Sequence, residues 1–195
     1  DTDGLRYAIA QSLPETNDSD LSDDEIARRI NDELVAAWGN LVNRVVSMTG
    51  RYFDGVVPEP GSLDPIDEAA LESRLATLDE AGRALYDVKL RAGIARAMQG
   101  AQEANVYLNE REPWKTAKTD EQRTATTLWV SLQQIAATAV ALSPYLPGSS
   151  RKVLEALGID VGPDGPRWVA PEVVAGTTLG ELGPLFAKIE LDPDE

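Results

Sequence analysis

From Ile26 to Leu157 the apolar residues of this chain return every three or four positions, and stretches that alternate at every second position are almost absent. That spacing suits one face of an α-helix, with about 3.6 residues per turn, and does not suit a pleated strand. The clearest segment opens at Ser22-Asp23-Asp24-Glu25, which reads as a capping box with Ser at the cap and Glu three residues on. Ile26, Ile30, Leu34, Trp38, Leu41, Val45 and Met48 follow, and Gly50 marks a stop. One amphipathic helix of about seven turns is predicted there. Pro58, Pro60, Gly61 and Pro65 make 54–66 a loop.

A second helix is expected after Asp64-Pro65, with Leu71, Leu75 and Leu78 facing inward. A third is expected from about Ala84 to Glu112. Its apolar stripe would run through Tyr86, Leu90, Ile94, Ala97, Ala101, Ala104 and Leu108, and Pro113 would end it. Gly93, Gly100 and the alanines beside them would let a neighbouring helix approach closely. Thr119-Asp120-Glu121-Gln122 resembles another capping box and opens a fourth helix, with Leu128, Leu132, Ile135, Ala139 and Leu142 inward and Ser143-Pro144 as its end. A short helix from about Ser149 to Leu157 stops at Gly158. Beyond it, Pro163, Gly165, Pro166, Pro171 and Gly176 break every period, so the remainder is expected to be irregular and anchored by Trp168, Leu182, Leu185 and Phe186. Val56-Val57 and Trp168-Val169 are strand signals too short to make a sheet. The expected fold is all-α: an antiparallel bundle of four to five helices over 21–157, with an irregular C-terminal extension, 158–195, packed on it.

Composition narrows the chemistry. The chain has 195 residues and neither histidine nor cysteine, which removes thiolate metal sites, disulfides, thiol nucleophiles and any Ser-His-Asp triad. Carboxylate pairs such as Asp23/Asp24, Asp67/Glu68 and Glu110/Glu112 suit helix ends better than a metal site, and no glycine motif for phosphate stands between a strand and a helix. No metal or cofactor is expected in this segment. There is no run of 18 apolar residues, so no membrane partner is expected. The net charge is −15, of which residues 1–24 hold −6 and residues 155–195 hold −7, leaving −2 for the middle. A near-neutral body with acidic ends can still meet a nucleic acid.

Two stretches depart from plain core patterning. In Trp38-Gly39-Asn40-Leu41-Val42-Asn43-Arg44, Gly39 costs a helix interior about 1 kcal/mol against Ala, and Asn40 and Arg44 share one face. An amide and a guanidinium there can converge on one planar ligand; spacing alone equally allows an ordinary surface pair. In Asn105-Val106-Tyr107-Leu108-Asn109-Glu110-Arg111-Glu112-Pro113-Trp114-Lys115, a Trp follows a helix-ending Pro. Trp114 on such a corner can stack on a base, or fold back as a plug over the bundle. Trp38 and Trp129 sit on or beside apolar stripes and read as core.

These stretches, together with Asp3-Gly4-Leu5-Arg6-Tyr7, Pro14-Glu15-Thr16-Asn17-Asp18-Ser19-Asp20, Asn31-Asp32-Glu33-Leu34, Ser143-Pro144-Tyr145-Leu146-Pro147 and Leu185-Phe186-Ala187-Lys188-Ile189-Glu190, resemble in order the methionyl-tRNA synthetase family downstream of its catalytic core. The resemblance implies a helical anticodon-binding domain of a class I aminoacyl-tRNA synthetase, with residues 1–20 connecting it to a catalytic domain of the same chain. It implies that Asn40 and Arg44 help read the anticodon, that Trp114 stacks on its first base, a cytosine, and that Asn109 lines the site where some members carry an acid. It further implies a methionine-specific tRNA as partner through its anticodon loop, a cytoplasmic setting, and a parent enzyme that joins methionine to tRNA using ATP and Mg. The family's His-Ile-Gly-His and Lys-Met-Ser-Lys-Ser signatures are absent from this segment, which is therefore expected to be non-catalytic. Another class I synthetase, a stand-alone tRNA-binding paralogue and a helical protein-interaction module remain as alternatives.

Overall fold

A computed structural model describes residues 2–13 and 22–190; the Pro14–Asp20 motif and residues 191–195 lie outside the described part. The order is α1 (Thr2–Gln11), α2 (Asp23–Arg29), a wide-turned π segment (Ile30–Gly39), α3 (Asn40–Phe53), α4 (Pro65–Tyr86), α5 (Leu90–Arg111), α6 (Pro113–Thr116), α7 (Glu121–Leu142) and α8 (Pro147–Ala156). The four long helical stretches and α8 are the expected bundle. Asp67 near the start of α4, Arg111 at the end of α5 and Arg123 near the start of α7 meet at one end, so α5 runs antiparallel to α4 and α7. No strand forms among the described residues; Val56 makes a single antiparallel bridge with Thr178.

Local chemistry accounts for most boundaries. Ser22 caps α2 by accepting the Glu25 amide at 3.3 Å. The long first helix is one rod, but its middle is not α-helical: the Asn40 amide reaches back to the carbonyl of Val35 as well as Ala37. A pure α-helix drifts when apolar residues recur only at four-residue steps, as they do from Ile26 to Trp38. The wider turn takes up that drift and keeps Ile30, Leu34 and Trp38 buried.

Asp64 caps α4 in a reciprocal box with Asp67, and Pro65 sits in the first turn. The break after α4 corrects the sequence expectation: the third helix begins at Leu90, not Ala84, because the chain turns at 87–89 with Val88 in the left-handed region at φ 59°. Tyr86 and Leu75, assigned to inner faces, are 90% and 53% exposed. The rest of the α5 stripe is buried from Ile94 to Leu108 as expected. A side chain at Gly100 would place its Cβ 2.8 Å from Thr77, which is why a residue without one lets α4 approach. The fourth helix is capped one residue later than expected, by Asp120 accepting the Arg123 amide at 2.9 Å.

The central helix, α7, is long and apolar enough by composition to cross a membrane, yet it is buried within the bundle. Its hydroxyls bond back along the helix: Thr124, Thr126, Thr127 and Ser131 each donate to the carbonyl four residues earlier, so none is left wanting a partner in the core. Helix α1 was not foreseen. Asp3 accepts both the amide and the hydroxyl of Ser149 at the start of α8, and Arg6 donates to the carbonyls of Tyr145 and Pro144.

The irregular extension is held by two side-chain amides that each pair with a backbone unit. Gln133 donates to the Val173 carbonyl at 2.7 Å and accepts its amide at 3.0 Å. Asn31 does the same to Ile189, at 2.8 Å in both directions. Trp168 anchors the extension as expected, donating from Nε1 to the Leu78 carbonyl at 3.2 Å over Gly82. Phe186 is buried against the π segment, while Leu182 and Leu185 are partly buried.

Candidate nucleic-acid interface

The α3 helix begins at Asn40, so Asn40 and Arg44 stand one turn apart, about 6 Å along its axis. Asn105 fixes how this rod lies on α5: its side-chain amide donates to the carbonyls of Ala37 at 3.2 Å and Ala101 at 3.0 Å. One turn further along α5, Asn109 is exposed and its Oδ1 accepts Nη2 of Arg44 at 3.1 Å.

At the end of α5 the chain turns sharply. Glu112 adopts φ 46°, a left-handed helix cap on a residue that has a Cβ, and Pro113 starts the single turn of α6. That corner carries Trp114 into contact with Arg44, whose guanidinium carbon lies 5.3 Å from the ring centroid. Trp114 is half-buried against the core, so it is neither a full plug nor a free ring. Lys115 beside it is exposed and paired with Glu112 at 2.6 Å.

Arg44, Asn109 and Trp114, separated by up to 70 positions, thus form one cluster. Asn40 lies beside it rather than in it. Asn40 is exposed and lines a shallow cleft of about 310 Å³ with Gly39, Asn43 and the Pro184–Phe186 segment. Gly39 has its reason here: a Cβ would sit 3.0 Å from the Leu34 carbonyl and 3.5 Å from the Phe186 ring.

The sequence reading missed what stands behind this surface. Asp67 is fully buried and accepts both terminal nitrogens of Arg123, at 2.8 and 2.9 Å, together with Nη2 of Arg111 at 3.0 Å and the hydroxyl of Tyr107 at 2.7 Å. Asp64 accepts Arg111 as well. Burial pushes the Asp67 carboxyl up, and hydrogen bonds from Arg123, the Asp64 amide and Tyr107 outweigh it, so Asp67 titrates below the ordinary range. The Arg111 hydrogen bond holds Asp64 down at about 2. Burial and the bond to Asp67 keep the Tyr107 hydroxyl protonated. Only the start of a helix after Asp64-Pro65 was legible in advance, and nothing in local spacing announces that two arginines far along the chain converge on Asp67.

The arrangement can hold planar, hydrogen-bonding groups. Arg44 offers a fork of donors, Asn40 and Asn109 offer amides, and Trp114 offers an indole, the set used to read splayed, single-stranded bases. The N-terminal residues 1–46 match the family model described as tRNA synthetases class I (M). Residues 57–195 match the model described as the anticodon binding domain of methionyl tRNA ligase, and the chain belongs to that family.

Asn40 and Arg44 fall in the first matched region, and Asn109 and Trp114 in the second. The methionine–tRNA ligase of Pyrococcus horikoshii is 40% identical over 187 residues, covering 96% of this chain and 25% of that protein. That of Corynebacterium glutamicum is 39% identical, covering 98% of this chain and 38% of that protein. The crystal structure of the apo form of Mycobacterium tuberculosis methionyl-tRNA synthetase superposes with a TM-score of 0.89 at 27% identity, covering 97% of this chain and 39% of that one. The chain therefore spans about a quarter to two-fifths of the length of these relatives.

Proposed function

We propose that this domain binds the anticodon loop of methionine tRNA, in the cytoplasm, as part of a methionine–tRNA ligase. Arg44 and Asn40 read base edges, Trp114 stacks on the first anticodon base, and Asn109 orients Arg44. The observation that carries this reading is the convergence of Arg44 with both Asn109 and Trp114. Residues from two separate helices and a helix corner are thereby brought to one patch of surface.

Activation of methionine with ATP and Mg belongs, in this reading, to the part of the longer relatives that the chain does not span. A mycobacterial relative is described in complex with methionyl-adenylate, the product of that step, and the chain covers 37% of that protein.

The test is binding of a methionine-tRNA anticodon stem-loop to the chain. Binding is expected to weaken as salt rises. It is expected to fall at least about fivefold when Trp114 is replaced by Ala, the lower end of what one stacked base contributes. Equal binding of a stem-loop with a scrambled anticodon would overturn the reading.

A further inference from the structure

The corner that carries Trp114 is pinned at both ends to one carboxylate. Arg111 precedes it, Arg123 follows it, and both donate to Asp67, which is buried in α4's first turn. The segment between the two arginines contains Glu112 with its left-handed backbone, Pro113 and Trp114. Within it Thr116 bonds to Thr124 at 2.7 Å, adding a cross-tie to α7. Arg111 also lies over Tyr107, 5.6 Å from the ring centroid, and Tyr107 bonds Asp67 in turn. Three helix ends are thereby fixed to a single point, and Asn109 lies between Tyr107 and Arg111 on the opposite face of α5. The two arginines are largely buried and satisfy one fully buried acid, an arrangement expensive to build and specific in geometry.

We propose that Asp67, Arg111 and Arg123 are positioning residues for base reading: they set the height and tilt of the Trp114 corner, so that the indole and Arg44 meet the anticodon together. None of the three belongs to the Arg44–Asn109–Trp114 cluster. This rests on the anticodon-reading function proposed above. Lys cannot reproduce a guanidinium fork, so Arg111→Lys keeps the charge while letting the corner shift.

The experiment is a double-mutant cycle on the 195-residue chain with the methionine-tRNA anticodon stem-loop as probe, combining Arg111→Lys with Trp114→Ala. Helix content and thermal midpoint are recorded for every variant. Arg111→Lys is expected to weaken binding roughly threefold or more in the native background and to have no further effect once Trp114 is gone. A purely structural role would lower the thermal midpoint and weaken binding equally in both backgrounds, and that additive result overturns the proposal. So does unchanged binding by Arg111→Lys. If Trp114→Ala itself leaves binding unchanged, the anticodon-reading function fails first, and the two failures are told apart. The same cycle with Arg123→Lys is the second arm and decides the matter if Arg111→Lys does not fold. Failure of both to fold makes the cluster a stability element only and also overturns the proposal.

Discussion

Arg44 Nη2 and Asn109 Oδ1 are 3.1 Å apart, joining two helices at residues 65 positions apart in sequence. The bond orients the Asn109 amide with its oxygen toward the guanidinium and its NH2 group turned away, so the pair presents donors outward from both partners. It also holds Arg44 against the Trp114 ring, 5.3 Å from the centroid. Replacing Arg44 by Lys keeps the positive charge but loses the planar fork and the stacking geometry. Stem-loop affinity, followed by fluorescence anisotropy, is expected to drop roughly tenfold, with a coupling of about 0.5–3 kcal/mol between Arg44→Lys and Asn109→Ala. Unaltered affinity would remove Arg44 from the site.

The clamp of Asn31 on Ile189 gives a stability prediction. Asn31→Ala deletes two backbone-directed hydrogen bonds of 2.8 Å. The expected loss is about 1–3 kcal/mol in a urea titration, with faster amide exchange at Ile189. Unchanged exchange at Ile189 would show that packing by Phe186 alone holds this segment.

Gly39→Ala tests the wide-turned segment. In an ordinary helix interior the change stabilises by up to about 1 kcal/mol. Here the added Cβ meets the Leu34 carbonyl at 3.0 Å and the Phe186 ring at 3.5 Å, and the carbonyl cannot retreat without loosening its own turn. The expected sign is reversed, a destabilisation of about 1 kcal/mol by thermal melting.

Asp64 supplies a pH signature. The neighbouring Arg111 holds its carboxyl at about 2, below the ordinary 3.8. A depressed value in the folded chain means that the ionised form favours folding. The contribution is complete above the unfolded value and is lost as pH falls toward 2. Asp64→Asn is expected to lower the thermal midpoint near neutral pH and to flatten its decline between about pH 4 and pH 2. Parallel curves for the two proteins across that range would contradict this.

Helix periodicity and caps made the bundle legible because they are local. Ser22, Asp64, Pro113 and Gly158 act within a turn of where they stand, and the boundaries near them were close to right. The failures are tertiary. The inward face of α1 is Asp3, Gly4, Tyr7 and Ala8 rather than an apolar stripe, because Asp3 caps α8 and Tyr7 bonds Glu33. The turn at Val88 carries no Gly or Pro, so an uninterrupted apolar pattern ran through it. The course of the extension depends on amides at Asn31 and Gln133, which no periodicity marks.

The candidate site divides the same way. The common face of Asn40 and Arg44 follows from four-residue spacing, and the corner at Trp114 from the preceding Pro. The meeting of Arg44 with Asn109, and the anchoring of the corner on Asp67, depend on how whole helices pack.

The pairing of Asn31 with Ile189 spans 158 positions, and Phe186 beside it closes the cleft that Asn40 lines. During synthesis the rod bearing Asn40 and Arg44 emerges early, but one wall of its cleft is among the last residues of this segment to leave the ribosome. The bundle can gather its core helix by helix, while the cleft beside Asn40 exists only after the 184–186 segment has docked. A chain lacking Leu185 and Phe186 would leave Gly39, Asn40 and Asn43 without the opposite wall of their cleft, so the environment of Asn40 depends on residues more than 140 positions away.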